Sequence, residues 1–155
     1  MTYPAVAAAV NPTAVIAQAL AASSAVADAL AAVALTPSDS STVGKVLGEA
    51  RAPYPMLQVL DGAGGDLGRV VWGLSGEVQI NAWGTEERRV GPDALRRLLG
   101  TALDVVARLP DLEAVPGEPV VTDVTVSAPQ RLDEPDGQIR YFSLVTISLH
   151  PPLPS

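Results

Sequence analysis

The chain has 155 residues, a length typical of a single domain that buries a core of its own. Acidic residues outnumber basic ones by 17 to 10, and the formal charge of -7 disfavours specific binding to nucleic acid, because an acidic surface repels phosphates. No cysteine is present, which excludes a disulfide framework, a zinc–thiolate site and a thiol nucleophile.

The N-terminal region is rich in alanine and predicts helices. Asn-Pro-Thr at residues 11–13 is a helix-start signal, and apolar side chains recur at helical spacing to about residue 34. The serine pair at residues 23–24 predicts a break into two short helices, because serine hydroxyls compete for backbone groups and cap new helices. Gln18 and Asp28 lie inside this segment and no basic residues precede it, which disfavours a signal peptide or a membrane span.

A polar stretch and a strand follow. Residues 36–53 predict a loop with at most a short strand at residues 43–47, and residues 54–60 predict a strand. Residues 61–68 have the sequence DGAGGDLG, in which half of the residues are glycine. Because glycine adopts positive φ freely, we expect a flexible loop here.

Residues 70–83 predict a strand, or a bent pair of strands with Gly73 and Gly76 as bulge or kink points. Apolar and mixed positions alternate at its end, with Val78, Ile80 and Ala82 on one face and Glu77, Gln79, Asn81 and Trp83 on the other. This alternation is typical of a sheet with one buried side.

Residues 92–109 predict the clearest helix in the chain. Pro92 and Asp93 suit its first turn, and Pro110 ends it. A continuous apolar stripe lies along one side: Leu95, Leu98, Leu99, Ala102, Leu103 and Val106. Such a stripe predicts a helix that packs against a sheet.

The chain closes with two predicted strands, residues 120–128 and 139–149, around the turn sequence DEPDG at residues 133–137. The first alternates strictly, with Val120, Thr122, Val124 and Val126 on one face. On the second, Tyr141, Val145, Ile147 and Leu149 face away from Phe142, Leu144 and Thr146. The elements together predict one α+β domain over residues 1–155, with an antiparallel sheet of about four or five strands and helices packed on one face.

The sequence offers little for catalysis. DGAGGD lacks the Lys-Ser/Thr of a phosphate loop and the alternating acids of a calcium loop. His150 is the only histidine, and no nucleophile motif accompanies it. Glu77, Glu86 and Glu87 are expected to be solvated acids and not a hydrolytic pair. We therefore predict no hydrolase, transferase or metal-dependent activity, and no cofactor.

Several residues are candidates for protein contacts, each with a simpler alternative. Trp72 and Trp83 flank one strand and belong either to the core or to an interface. Phe142, on the second face of the last strand, is a further interface candidate. The arginines Arg88, Arg89, Arg96 and Arg97 form either a solvated face or a surface that pairs with carboxylates of a neighbouring subunit. Asp61 and Asp66 lie in the glycine-rich loop, which is either mobile or ordered by a partner.

The order of elements resembles the tail terminator (tail completion, or minor tail) proteins of long-tailed bacteriophages. Four features carry the resemblance: the short N-terminal helical region after MTYP, YPMLQVLDGAGG, VVWGLSGEVQINAWG with TEE and the helix DALRRLLGTALDVVARL, and the closing hairpin RLDEPDGQIRYFSLVTISLHPP. The match covers residues 54–150 well, whereas residues 1–53, with their alanine-rich start and SDSST loop, depart from the family's compactness.

The resemblance implies a structural virion protein at the head–tail interface, assembled in the host cytoplasm. It implies a hexameric ring that stops tail-tube polymerisation and contacts the major tail tube protein and the head–tail connector or stopper. DNA would pass through the ring without specific binding, and an acidic lumen suits that passage. The alternatives are another head–tail connector component, or a small intracellular ligand-binding α+β domain, which would need a pocket with convergent polar groups.

Overall fold

In the described part of the computed structural model, antiparallel strands form one sheet and three helices lie on one of its faces. The structure describes residues 11–33, 56–70, 73–84, 91–135 and 137–150, and for residues 63–70, 73 and 74 it describes the backbone alone. Within these ranges the predicted fold class, α+β with an antiparallel sheet of about four or five strands, is confirmed, and the sheet has five strands.

Eight regular elements follow one another along the described chain. They are α1 (Pro12–Ala22), α2 (Ser24–Val33), β1 (Met56–Val70), β2 (Gly73–Trp83), α3 (Pro92–Ala107), β3 (Val120–Val126), β4 (Gln130–Asp133) and β5 (Ile139–His150). The strands are ordered β1-β2-β5-β3, and β4 also pairs with β5. Since β3 lies beside residues 145–150 and β4 beside residues 139–142, the two short strands occupy one side of β5 in succession.

The predicted N-terminal helices and their break are confirmed. The Asn11 side chain caps α1 by accepting from the backbone N–H of Thr13 at 2.9 Å. At the break, the Ser23 hydroxyl accepts from the backbone N–H of Val26 at 3.3 Å. Taken singly, no described helix is long and apolar enough to cross a membrane; α1 and α2 meet those criteria only as a pair, and that pair is bent by 73°.

Helix α3 begins at Pro92 as predicted and ends at Ala107, two residues before the predicted end, because Leu109–Asp111 continues as a short 3₁₀ turn. All six stripe residues are buried. They join Ile16 and Leu20 of α1 and the inner face of the sheet in one hydrophobic core. The predicted role of Leu99 and Leu103 as core positions is confirmed.

The prediction of a flexible loop at residues 61–68 is wrong. These residues continue β1, which pairs with β2 as far as Val70 opposite Gly73. Register shifts between Asp61 and Asp66 and between Asp66 and Gly68 accommodate the extra residues. The glycines therefore serve an irregular strand, and at the buried Gly62 a Cβ atom would lie 2.6 Å from the Cγ of Glu77.

The predicted strand at residues 70–83 needs a related correction. Val70 ends β1, and β2 begins at Gly73. Gly76 does not kink β2, whose register with β5 is continuous, although it lies opposite Asp66 where β1 is irregular. The alternation predicted for its second half is confirmed, since Val78, Ile80 and Ala82 are all fully buried.

Two features of the closing strands differ from the prediction. β3 ends at Val126, and a bulge between Val121 and Asp123 breaks the strict alternation, so that Val121 and Val124 are the residues packed against the core. The short strand β4 was not predicted, because its four residues are all exposed and carry no alternation. The turn before β5 is confirmed by Gly137, whose φ is 92°, whereas Asp136 and the predicted strand at residues 43–47 lie outside the described residues.

Candidate interface

The face of the sheet that points away from the helices carries a group of polar and aromatic side chains. We call it the outer cluster and define it as Gln58 of β1, Asn81 and Trp83 of β2, and Arg140 and Phe142 of β5. The strand register brings these residues together, because Gln58 pairs with Asn81, Asn81 with Phe142 and Trp83 with Arg140. Directly opposed residues lie on the same face of a sheet, so the five side chains are neighbours.

Gln58 is the centre of the hydrogen bonds in the outer cluster. Its Oε1 accepts from Asn81 Nδ2 at 3.0 Å and from Trp83 Nε1 at 2.8 Å. Gln58 and Asn81 are 3% and 1% exposed, so both amides need partners within the protein. The Oδ1 of Asn81 in turn accepts from Gln79 Nε2 at 2.9 Å. This part of the outer face is therefore already filled by the chain itself.

Arg140 joins the two aromatic rings of the outer cluster. Its guanidinium carbon lies 4.9 Å from the centroid of Trp83 and 5.7 Å from that of Phe142. Its Nε lies 3.2 Å from Glu134 Oε1, but the geometry is not that of a hydrogen bond, so we treat the contact as a charge interaction. Both side chains of this pair are mostly shielded, at 19% and 24% exposed. Arginine stacked on aromatic rings in this way is a frequent element of protein interfaces.

The residues predicted to make protein contacts do not form one surface. Trp83 and Phe142 meet in the outer cluster, whereas Arg96 and Arg97 lie on the exposed side of α3, in the other layer of the fold. Asp61 accepts a hydrogen bond from the hydroxyl of Thr13 and so links β1 to α1 within the chain. Asp66 lies in β1, where only its backbone is described. Trp72, Arg88 and Arg89 lie outside the described residues.

Gln58, Asn81 and Arg140 were missed by the sequence-based selection. A polar residue in a strand is ordinarily solvated, and the sequence does not reveal that Gln58 and Asn81 are buried. Arg140 acquires its role only through the pairing of β2 with β5. The signal that identifies it is the register Trp83 opposite Arg140, which requires knowledge of which strands are neighbours.

Strands β3 and β4 form an exposed edge of the sheet. Between them, Ser127 holds the chain against β5: its backbone N–H donates to Leu144 O, and its hydroxyl accepts from Leu144 N, both at 2.9 Å. Val126 and Leu132 are 36% and 41% exposed along this edge. Asp133 lies 2.9 Å from Arg131, and this hydrogen-bonded carboxylate raises the pKa of the guanidinium above its ordinary value.

A groove with a volume of about 370 Å³ lies between α1 and residues 109–121. Val15, Ala19 and Ala22 of α1 line one side, and Leu112 and Val115 line the other. Leu112 and Val115 are 65% and 52% exposed, which is unusual for large apolar side chains in the described chain. The polar side chains at the groove are one amide, Gln18, and two carboxylates, Glu113 and Glu118.

The described residues contain no arrangement suited to metal binding, since no three His, Cys, Asp or Glu side chains come together among them. His150 ends β5 opposite Val120. Comparison with protein-family models found no match, and comparison with curated proteins found no significant match. The surfaces described above are therefore the basis for a functional proposal.

Proposed function

We propose that the protein is a structural component of a phage virion, a tail-terminator-like subunit that forms a ring at the head-proximal end of the tail. The proposal rests on the resemblance in the order of elements and on one observation, the exposed β3–β4 edge. In this role the ring stops growth of the tail tube and joins the tail to the head connector. The proposal assigns no catalytic residue and no cofactor.

The exposed edge supports the proposal because an unpaired strand edge needs a partner or a protective device. On this edge Val126 and Leu132 expose apolar surface. A ring gives every subunit the same neighbour on each side, so one repeated contact covers the edge of all copies, and closure prevents a filament. We expect six copies, as the resemblance implies.

The outer cluster supports a second contact, with the tail tube or the connector. Trp83, Arg140 and Phe142 are partly exposed and held in place by Gln58 and Glu134. Aromatic and arginine side chains that are rigid before binding lose little conformational freedom on binding. The net charge of -7 fits a lumen through which DNA slides without adhering.

Two other functions would use the same surfaces or the groove. Another head–tail connector component would use the same surfaces. A small ligand-binding domain would use the groove, whose volume of about 370 Å³ lies at the small end of the range for ligand pockets. Its lining is mostly apolar with two carboxylates, which provides few polar groups to orient a small molecule.

The test is assembly in a phage that lacks this gene, observed by electron microscopy. We expect overlong tubes or unattached heads and tails, and rescue by the wild-type gene. A Leu132→Asp variant, which places a charge on the exposed edge, should fold and fail to rescue. Ala32→Asp, at an exposed position of α2, is the matched control and should rescue. Tails of normal length that join heads efficiently without the gene would refute the proposal.

A further inference from the structure

The groove beside α1 combines an apolar lining with negative charge. Leu112 and Val115 lie at its wall, and the carboxylates of Glu113 and Glu118 border it. The chain from residue 109 to residue 130 contains four acidic residues and no basic one. Asp111, Glu113 and Glu118 form no ion pair in the part of the chain that the structure describes. The groove therefore suits a cationic group attached to an apolar stem.

The wall of the groove is held in a defined shape. Val115 O accepts from the backbone N–H of Glu118 at 3.1 Å, and Gly117 has a φ of 86°. Pro116 followed by a glycine with positive φ is the pattern of a type II turn. This turn presents Val115 and Glu118 together at the surface, so a partner meets a preformed surface and not a loop that must first be ordered.

The same chain carries a surface of opposite charge at the other end of α3. Arg96 and Arg97 are exposed in the first half of the helix and have no ion pair among the described residues. Asp93, one turn earlier, is the nearest acid in sequence and is likewise unpaired there. At the far end of α3, Asp104 and Arg108 neutralise each other at 3.0 Å.

No ion pair joins these two surfaces within the described part of one subunit. Arg97 and Arg108 are eleven positions apart, which is about 17 Å along a helix. The acidic wall of the groove begins only after Arg108, and the Debye length at physiological salt is about 8 Å. Two complementary surfaces at opposite ends of one element are suited to a head-to-tail contact between copies.

We infer that the groove beside α1 binds the Arg96–Arg97 surface of a second copy of this chain. The carbon stems of the arginines pack on Leu112 and Val115, and their guanidinium groups pair with Glu113 and Glu118. This inference rests on the proposed ring and names one of its contacts. The contact is continuous with the β3–β4 edge, because Pro119 and Val120 connect the groove to β3.

The absence of cysteine makes a disulfide trap a clean test. We would prepare Arg97→Cys and Glu118→Cys as single variants, mix them at high protein concentration and low salt, oxidise, and measure the mixed dimer by mass spectrometry. The control mixture pairs Arg97→Cys with Asp28→Cys, an exposed acid of α2. We expect about a tenfold higher yield for the first mixture, and a loss of that excess as salt rises to about 1 M, where the Debye length is about 3 Å.

A charge swap completes the test. Here the cysteines are Arg96→Cys on one copy and Glu113→Cys on the other. Adding Arg97→Glu to the first copy should reduce the yield of the mixed dimer. Adding Glu118→Arg to the second copy should then restore that yield. Equal yields in the test and control mixtures, or no effect of the swap, would overturn the inference and leave the proposed ring to form through another surface. If the mixed dimer forms but tails assemble normally without the gene, the proposed function is refuted while the contact between copies stands.

Discussion

The face of the sheet that meets the helices and the face that points away from them are built from different side chains. The inner face is aliphatic, and Val78, Ile80 and Ile147 are fully buried there. The outer face holds the outer cluster, in which buried amides are joined by hydrogen bonds. Burying an aliphatic side chain contributes about 1.5–3 kcal/mol, whereas a neutral hydrogen bond contributes a net of about 0.5–1.5 kcal/mol. The comparison suggests that the inner face supplies stability and the outer face fixes strand register.

The largest expected effect comes from the inner layer. Leu99→Ala should destabilise the protein by about 3 kcal/mol, because it leaves a cavity under α3 at a fully buried position. Leu103→Ala, at 7% exposed, should cost about 2 kcal/mol. Urea unfolding is the measurement. Leu112→Ala is the control, because this leucine is 65% exposed and its loss should change stability by less than about 0.5 kcal/mol. Equal midpoints for all three variants would contradict the layer assignment.

The close packing of the inner layer can be tested by replacing each of two glycines with alanine and measuring stability. A Cβ atom at Gly84 would lie 2.8 Å from Leu95 Cδ1 and 3.2 Å from the carbonyl oxygen of Ile139. Gly84→Ala should therefore destabilise by about 2 kcal/mol through overpacking. Gly100→Ala has open space around it within α3 and should stabilise by up to about 1 kcal/mol. If thermal unfolding shifts in the same direction in both variants, close packing at Gly84 is not the cause.

The outer face should respond to the loss of a hydrogen-bond acceptor. Gln58→Leu keeps the volume but removes the partner of Asn81 Nδ2 and Trp83 Nε1, and should cost about 1–2 kcal/mol. Adding Asn81→Leu should recover part of that loss, because one unsatisfied donor is then removed as well. The double-mutant cycle by urea unfolding measures this coupling. Strictly additive losses would show that the amides do not depend on each other.

The smallest expected effect concerns the stacked arginine. Arg140→Lys keeps the charge near Glu134 but loses the planar stacking on Trp83 and Phe142, and should cost about 0.5–1 kcal/mol. Arg108→Lys is the control, since its pair with Asp104 is exposed and should change stability little. Urea unfolding is the measurement, monitored by tryptophan fluorescence, to which Trp83 of this site contributes. A larger loss at Arg108 than at Arg140 would reverse the ranking of the two arginines.

Local sequence signals correctly predicted the helices and the strand alternation that depend on residues close together in the sequence. Asn11 caps α1, the stripe containing Leu99 forms the buried side of α3, and Val78 and Ile80 face the core, all as expected. The failures share one cause, which is dependence on pairing with a neighbouring strand and not on the residues' own pattern. Pairing with β2 draws the glycine-rich residues 61–68 into β1, and β5 supplies the only described partner of the exposed β4. Two of the five residues of the outer cluster, Trp83 and Phe142, were sequence candidates, whereas Gln58, Asn81 and Arg140 join it only by register.

The interruption between β3 and β4 has a consequence for the behaviour of the protein at high concentration. Pro129 has no backbone N–H, and Ser127 directs its own N–H and hydroxyl towards β5. The exposed edge is thereby divided into runs of seven and four residues, which are poor templates for fibril growth. This interruption lowers the tendency of a free subunit to pair edge to edge until the proposed ring contact covers the edge. Pairing along a continuous edge would compete with ordered assembly. Pro129→Thr restores a backbone N–H at the interruption and should therefore favour such pairing.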